Sequence, residues 1–317
     1  MPEINIGGTP APEPTPITIG GTPAPADQTP EIGQTPEMSN TGMTPEEMRD
    51  PAKIHVTVTD SNTPIVVLFG PPSCGKTMTL IRLVRYLRSQ GYTIKPDPAF
   101  RPAYDTVYQD MCEHFDEMIN SNDAAAGTDR ISFMLVKVYN QQGRAICQIL
   151  ESPGESYFSP DNPNAAFPGY VNHIINNSNR TIWMIMVEPT HTNPSMGDQA
   201  TRANYATKVA KLRQQMVARD KVVFVFNKID MTPYVISQGV VNNKEAMKHV
   251  NQIYENIFSP FANVNPLTKW ITPYNFDFVA FQTGSYEQAA DGSRQFTLGS
   301  DAYPRRLWEI LRKRING

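Results

Sequence analysis

The sequence is poor in cysteine, in long apolar runs and in net charge, and its first 50 residues contain no Phe, Trp or Tyr. Each shortage excludes something. Cys74, Cys112 and Cys147 lie far apart and fit neither a disulfide framework nor a zinc-ligand spacing. The longest apolar stretches, such as residues 182–187 and 222–226, fall far short of the ~18 residues of a membrane-spanning helix. The start Met1-Pro2-Glu3-Ile4 lacks the basic and apolar character of a signal peptide, and Asn316-Gly317 offers no prenylation cysteine, so a cytoplasmic location is expected. A net charge of −3 gives no support to nucleic-acid binding. The five histidines show no metal spacing. One dense basic cluster remains, Arg305, Arg306, Arg312, Lys313 and Arg314. It reads as the solvated face of a terminal helix, with contact to a membrane surface as the lesser reading.

Without aromatic anchors a segment buries too little apolar surface to offset the entropy of ordering it. Residues 1–50 hold 10 of the 28 prolines, and their eight acidic residues face the single Arg49. Residues 1–51 are therefore expected to be a disordered, Thr/Pro-rich acidic arm, with residues 52–317 as the folded domain. The stretch from Ile4 to Pro12 returns 13 residues later from Ile17 to Pro25, and Thr-Pro steps recur at Thr9, Thr15, Thr22, Thr29, Thr35 and Thr44. A plain spacer explains such low complexity, and a phosphorylated or docking tether is the alternative.

What is present begins after Pro64. Residues 65–69, Ile-Val-Val-Leu-Phe, form a continuous apolar run, as expected of a strand buried on both faces. Gly70-Pro71-Pro72-Ser73-Cys74-Gly75-Lys76-Thr77 follows. Met78, Ile81, Val84 and Leu87 then recur at helical spacing up to Gly91. In a strand–loop–helix unit of this kind glycines let the backbone wrap phosphates, and the amides at the helix start favour negative charge. Lys76 reaches the outer phosphates and Thr77 offers its hydroxyl to magnesium. Gly70, Ser73, Cys74, Gly75, Lys76, Thr77 and Met78 are thus the candidate phosphate-binding residues. Cys74, set in a positive field, is expected to be the most reactive thiol.

The loop does not choose a base. Asn227-Lys228-Ile229-Asp230, directly after the apolar run 222–226, matches the Asn-Lys-x-Asp motif of guanine specificity. A carboxylate at Asp230 can accept from both N1–H and the 2-amine of guanine, groups that adenine does not present. On these two motifs the region from about residue 64 to the C-terminus resembles a divergent P-loop GTPase of the Ras-like and translation-factor class.

The resemblance implies a three-layer αβα sandwich, an α/β fold with a mainly parallel sheet and one antiparallel hairpin. It also implies GTP and GDP as substrate and product, magnesium as cofactor, and a protein effector or activating partner. The hairpin is expected from residues 131–139 and 145–150, ending at Glu151-Ser152-Pro153-Gly154 where the family has Asp-x-x-Gly. Glu151 would then hold the metal with Thr77, and Thr128 (with Thr106 as the fallback) would be the switch threonine. Gly154 would sense the γ-phosphate. Glu155 stands where the water-orienting Gln is common. Lys76, Gly154 and Glu155 are the candidate catalytic residues, and Thr283-Gly284 would close the base pocket after a strand at 276–281. Helices are expected at 201–219, 244–258 and 303–315, a strand at 181–187, a helix-like piece at 106–120, and at 53–59 either an added edge strand or the end of the arm.

Two other readings remain open. Glu155, Glu151 and Pro72 are compatible with a nucleotide-loaded scaffold that scarcely hydrolyses. The strand-ending Glu151 and Glu188 are compatible with an AAA-like ATPase.

Overall fold

The sequence Thr44-Pro45-Glu46-Glu47 is a helix start signal, and in the computed structural model it closes a capping box. The Thr44 hydroxyl accepts from the Glu47 amide and the Glu47 carboxylate accepts from the Thr44 amide, which starts α1 (Pro45–Arg49). The structure describes residues 44–50, 53–120, 133–288 and 294–317, all within one compact unit, Pro36–Gly317. Residues 44–50, within the stretch assigned to the arm from sequence, are tied to the domain. Glu47 is buried and makes a two-oxygen ion pair with Arg101, whose side chain is completely buried and also binds Asp105. Residues 1–43 lie outside the described residues.

Residues 53–59 are neither an edge strand nor arm. They form no strand of the sheet; Ile54 and Val56 are buried, and the Thr57 amide donates to the Phe100 carbonyl. β1 (Ile65–Phe69) is buried at every position. It feeds α2 (Lys76–Ser89), which Gly91, at φ 81°, follows. β2 (Thr93–Pro96), unanticipated from sequence, is the true sheet edge. The helix-like piece divides into α3 (Thr106–Glu113) and α4 (Phe115–Asn120). The hairpin is β3 (Met134–Tyr139) and β4 (Ala145–Glu151), and α5 (Gly169–Asn176) is a second addition.

β5 (Thr181–Val187) is buried throughout. α6 (Gln199–Gln215) starts two residues earlier than expected because Asp198 caps it, and it ends at Met216 in extended conformation. β6 (Lys221–Phe226) follows, then a small ribbon of β7 (Val235–Ser237) and β8 (Val240–Val241). α7 (Asn243–Ile253) stops short of residue 258, as Glu255 and Asn256 take positive φ. The chain closes with β9 (Asp277–Ala280), a ribbon of β10 (Gly284–Gln288) and β11 (Arg294–Leu298), and α8 (Ala302–Asn316).

Among the described residues the main sheet has seven strands in the order β2-β3-β4-β1-β5-β6-β9. The β2–β3 and β3–β4 pairs are antiparallel, whereas β4, β1, β5, β6 and β9 run parallel. From β1 the chain first moves to β4 on one side and then through β5, β6 and β9 on the other. With this strand order, the right-handed rule for crossovers between parallel strands sets α2 on one face and α5, α6 and α7 on the other. α8 packs on β5, β6, β9 and α2, which completes the layer on the α2 side. This is the expected α/β three-layer sandwich, and the carboxyl ends of β4, β1 and β5 converge where the strand order reverses. No helix among the described residues is long and apolar enough to cross a membrane.

Glu47→Ala removes the acceptor of the Thr44 amide and of two charge-assisted hydrogen bonds from buried Arg101, which keeps Asp105, and is expected to destabilise the domain by about 2 kcal/mol, while Glu46→Ala, which breaks only the solvent-exposed pair with Lys53, leaves the denaturation midpoint nearly unchanged. Equal midpoints for the two variants in urea titrations would show that α1 is not part of the folded domain.

Candidate nucleotide site

The site is built where β1 ends. Gly70 admits no side chain, because a Cβ there would stand 2.6 Å from Cys74 Sγ and 2.9 Å from Met186 Cβ. Pro71 and Pro72 carry no N–H, so the loop's donors start at Ser73, itself at φ 60°. Gly75 is the N-cap of α2 at φ 89° and gives the helix no side-chain cap, which leaves the first-turn amides of Lys76, Thr77 and Met78 without intrahelical acceptors. An uncapped start of a 14-residue helix, facing a loop with glycine at both ends, is an anion cradle.

The two sequence motifs meet here. Asn227 is 1% exposed and its Nδ2 donates to the Cys74 carbonyl at 3.0 Å. Lys228, in left-handed conformation at φ 54°, donates through Nζ to the Ser73 carbonyl at 3.2 Å, to the Thr192 carbonyl at 3.2 Å and to Glu188. Asp230 stands exposed at the rim; the protein on its inner side raises its carboxyl pKa, and Lys228 opposes that rise. The Ile229 amide donates to the Phe281 carbonyl, which sets the end of β9 beside this segment. Thr283 and buried Gly284 follow there, with Gly284 opening β10.

Glu151, 2% exposed at the end of β4, accepts the Thr77 hydroxyl through Oε1, and its Oε2 has no partner among the described residues. Burial dominates its electrostatics and pushes the carboxyl up to about 7, with the Thr77 hydrogen bond and the Lys76 charge pulling the other way. A buried, unpartnered carboxylate oxygen beside a threonine hydroxyl fits a hard divalent cation. The expected third ligand, Thr128, lies outside the described residues. Glu188 is different. Its Oε1 accepts from Asn193 at 2.6 Å, and its Oε2 accepts from Thr192 and Lys228. Both oxygens are engaged, so it is a brace for the lysine rather than a metal group. Asn193 also donates to the Pro72 carbonyl at 3.0 Å, tying the brace to the phosphate loop. Thr192 and Asn193 were not singled out from the sequence, for no motif surrounds them.

Gly154 lies against the loop: a Cβ would stand 2.3 Å from Pro72 N and 2.6 Å from the Pro71 carbonyl carbon. Lys76 Nζ donates to the loop's own Gly70 and Pro71 carbonyls, at 3.2 and 3.0 Å. Glu155, one residue further, is exposed. The expectation for Cys74 is overturned. Its side chain is fully buried, and desolvation pushes the thiol up to about 11 against the opposing pull of Lys76 and Lys228, so the neutral thiol is its state near neutrality. Cys74 contributes a backbone carbonyl to the site instead.

No family model matches the sequence, and no curated protein matches it. Among solved structures the chain is similar to Methanosarcina barkeri Roco2 RocCORdC bound to GDP, at 13% identity and a TM-score of 0.32, over 83% of this chain and 51% of that one. The chain thus spans about half the length of that protein. A likeness of this degree carries no argument about function, which rests on the geometry.

A folded-state pKa above the unfolded value means that the stabilising contribution is complete below the ordinary glutamate range and is lost as pH rises through about 7. Charging Glu151 in the empty protein costs on the order of 3 kcal/mol at 1.36 kcal/mol per unit. Glu151→Gln is expected to melt higher than the parent at about pH 8 and alike at about pH 4, in the absence of nucleotide and divalent cation. A parent and variant with parallel pH profiles would show that Glu151 is not buried as charge.

Proposed function

We propose that this chain binds guanine nucleotide at the carboxyl end of β1 and hydrolyses GTP to GDP with magnesium, changing the segment after β4 with the state of the γ-phosphate. The observation that carries the reading is the bonding of Asn227 and Lys228 onto the carbonyls of Cys74 and Ser73, across sequence separations of 153 and 155 residues. These two bonds support the reading because they tie the segment that ends in Asp230 to the loop that leads into α2.

In this reading the free amides at the start of α2 hold the phosphates, and Lys76 leaves its two loop carbonyls for the outer phosphates. Thr77 and Glu151 would hold magnesium, whose charge offsets that of the phosphates. Gly154 can approach the γ-phosphate because it has no side chain. Asp230 discriminates guanine, while Glu188, Thr192 and Asn193 fix Lys228. Thr283 and Gly284 close the base side. A soluble switch needs a protein effector or activator, and no arginine of this chain is assigned to the reacting phosphate, so basal turnover is slow. The scaffold reading has one observation in its favour: Gly154 already rests on Pro71 and Pro72, which crowds the place of the γ-phosphate. The AAA-like reading loses Glu188, whose oxygens are both engaged.

Exchange of labelled GTP and ATP on the full chain tests the base. GTP is expected to bind far more tightly than ATP, Lys76→Ala to lose both, and Asp230→Asn to weaken GTP while improving xanthosine triphosphate, whose 2-oxo group meets an amide donor. Equal GTP and ATP affinity in the parent overturns the guanine assignment.

Phosphate release under single-turnover conditions separates enzyme from scaffold. Slow but magnesium-dependent release is expected, and it should rise in Glu155→Gln because an anion beside the γ-phosphate hinders attack by water. A fall of about tenfold or more would make Glu155 a base. Tight GTP binding with no release, with or without magnesium, would establish the scaffold.

A further inference from the structure

The parallel sheet has a second pole. The strands β1, β5, β6 and β9 begin there, and between α7 and β9 the chain makes a long excursion through residues 256–276 that contains no acidic residue. Its base is anchored: Ala262 bridges Tyr274, the Asn275 amide donates to the Phe261 carbonyl, and Phe276 and Phe261 pack on Phe224 of β6, 4.8 and 5.4 Å between ring centres. Its outer part is held by Asn263, whose Nδ2 donates to the Thr272 carbonyl at 2.8 Å and the Thr268 hydroxyl at 2.9 Å. The Asn265 side chain accepts the Leu267 amide at 2.9 Å. This hydrogen-bonded loop displays Val264, Leu267, Trp270 and Ile271 at 89, 85, 84 and 83% exposure, with exposed Lys269 among them. Single exposed apolar residues are ordinary, but four large ones on one braced loop are not.

The surrounding charge indicates the kind of surface that would cover it. The C-terminal end of α8 reaches the same pole, where Arg314 ion-pairs with Asp277 at the start of β9 and Arg180 donates to the Ile315 carbonyl at 3.0 Å. Arg312 and Lys313 are exposed beside it. Asp277 is engaged by Arg314, and buried Asp220 by the amides of Val217 and Thr181; exposed Glu309 and half-buried Asp60 lie near Arg312, facing the exposed cations Lys269, Arg312 and Lys313 that this pole presents. We propose that this pole docks on an anionic lipid bilayer, with Leu267, Trp270 and Ile271 entering the boundary between headgroups and acyl chains and Lys269, Arg312 and Lys313 meeting the headgroup charge. A Trp-tipped loop with a snorkelling lysine suits that boundary, where one end of the side chain is wet and the other apolar. Anionic headgroups attract the cations around it. A second copy of the chain is a poorer occupant. The cavity of about 840 Å³ on this pole is lined by polar groups such as Asp60, Gln90, Asn140, Gln142 and Arg144, which would not receive an apolar tip.

Tryptophan fluorescence of the full chain tests the proposal directly. Trp183 and Trp308 are buried and Trp270 is the third and last tryptophan, so a blue shift on adding vesicles reports Trp270. Phosphatidylcholine vesicles containing phosphatidylserine are expected to produce that shift, with quenching by lipids brominated high on the acyl chain. Pure phosphatidylcholine should bind roughly tenfold more weakly, as should Ile271→Asp on the mixed vesicles. Lys269→Glu should weaken binding to the anionic vesicles several-fold and leave the melting temperature unchanged. Failure to bind anionic vesicles, equal binding to neutral ones, or a concentration-dependent dimer that Ile271→Asp abolishes would each overturn the proposal. None of these outcomes depends on guanine nucleotide, so the docking face and the nucleotide site stand or fall separately.

Discussion

The missing side chain at Gly75 is the constraint on which the site depends. A Cβ at that position would stand 2.3 Å from Asn227 Nδ2, and the backbone there has φ 89°, which side-chain-bearing residues rarely adopt. Because the space is empty, Asn227 reaches the Cys74 carbonyl and fastens the end of β6 to the turn after β1. That bond fixes the segment from Lys228 to Asp230 relative to the start of α2. It does so where Asn227 and Cys74 are both buried, so a lost bond would leave buried polar groups unpaired at about 1–3 kcal/mol each.

Two buried glutamates beside this bond show how partners decide a role. Glu151 and Glu188 both follow or end fully buried strand segments, and both are almost inaccessible. Glu188 is saturated by Lys228, Thr192 and Asn193, which makes its charge part of the framework. Glu151 has one donor and, among the described residues, no partner for its second oxygen, and burial pushes its carboxyl pKa up to about 7. The first is spent on position; the second retains capacity for a cation.

A parallel sheet separates functions by strand direction. The carboxyl ends of β1 and β4 lead into the glycine-bearing turns at Gly70 and Gly154, those of β5 and β6 into Glu188 and Asn227, and the opposite ends of the strands lie towards the braced apolar loop and the basic end of α8. Along α8 the two are physically linked. Burial raises the pKa of the Tyr303 hydroxyl in its first turn and the Asp230 charge adds to the rise, while Arg314 of its last turn holds Asp277.

Local pattern alone determined much of this protein. The apolar run 65–69 had to be an interior strand, the segment after Gly75 a helix, and residues 222–226 a second interior strand, because each rests on near-neighbour periodicity or on a backbone need that a few residues state completely. The α/β alternation followed from the same periodicities. Tertiary structure alone decided the rest. Glu47 reads as one more acid in a proline-rich arm until Arg101, 54 positions away, is placed against it. Cys74 reads as an activated thiol until Met186 and the loop close over it and desolvation outweighs the neighbouring lysines. Glu188 reads as a metal candidate until Lys228 takes it. In each case the sequence supplies the chemical group, but desolvation and pairing depend on residues distant along the chain, and only folding sets the dielectric and the partners that give the group its charge and its use.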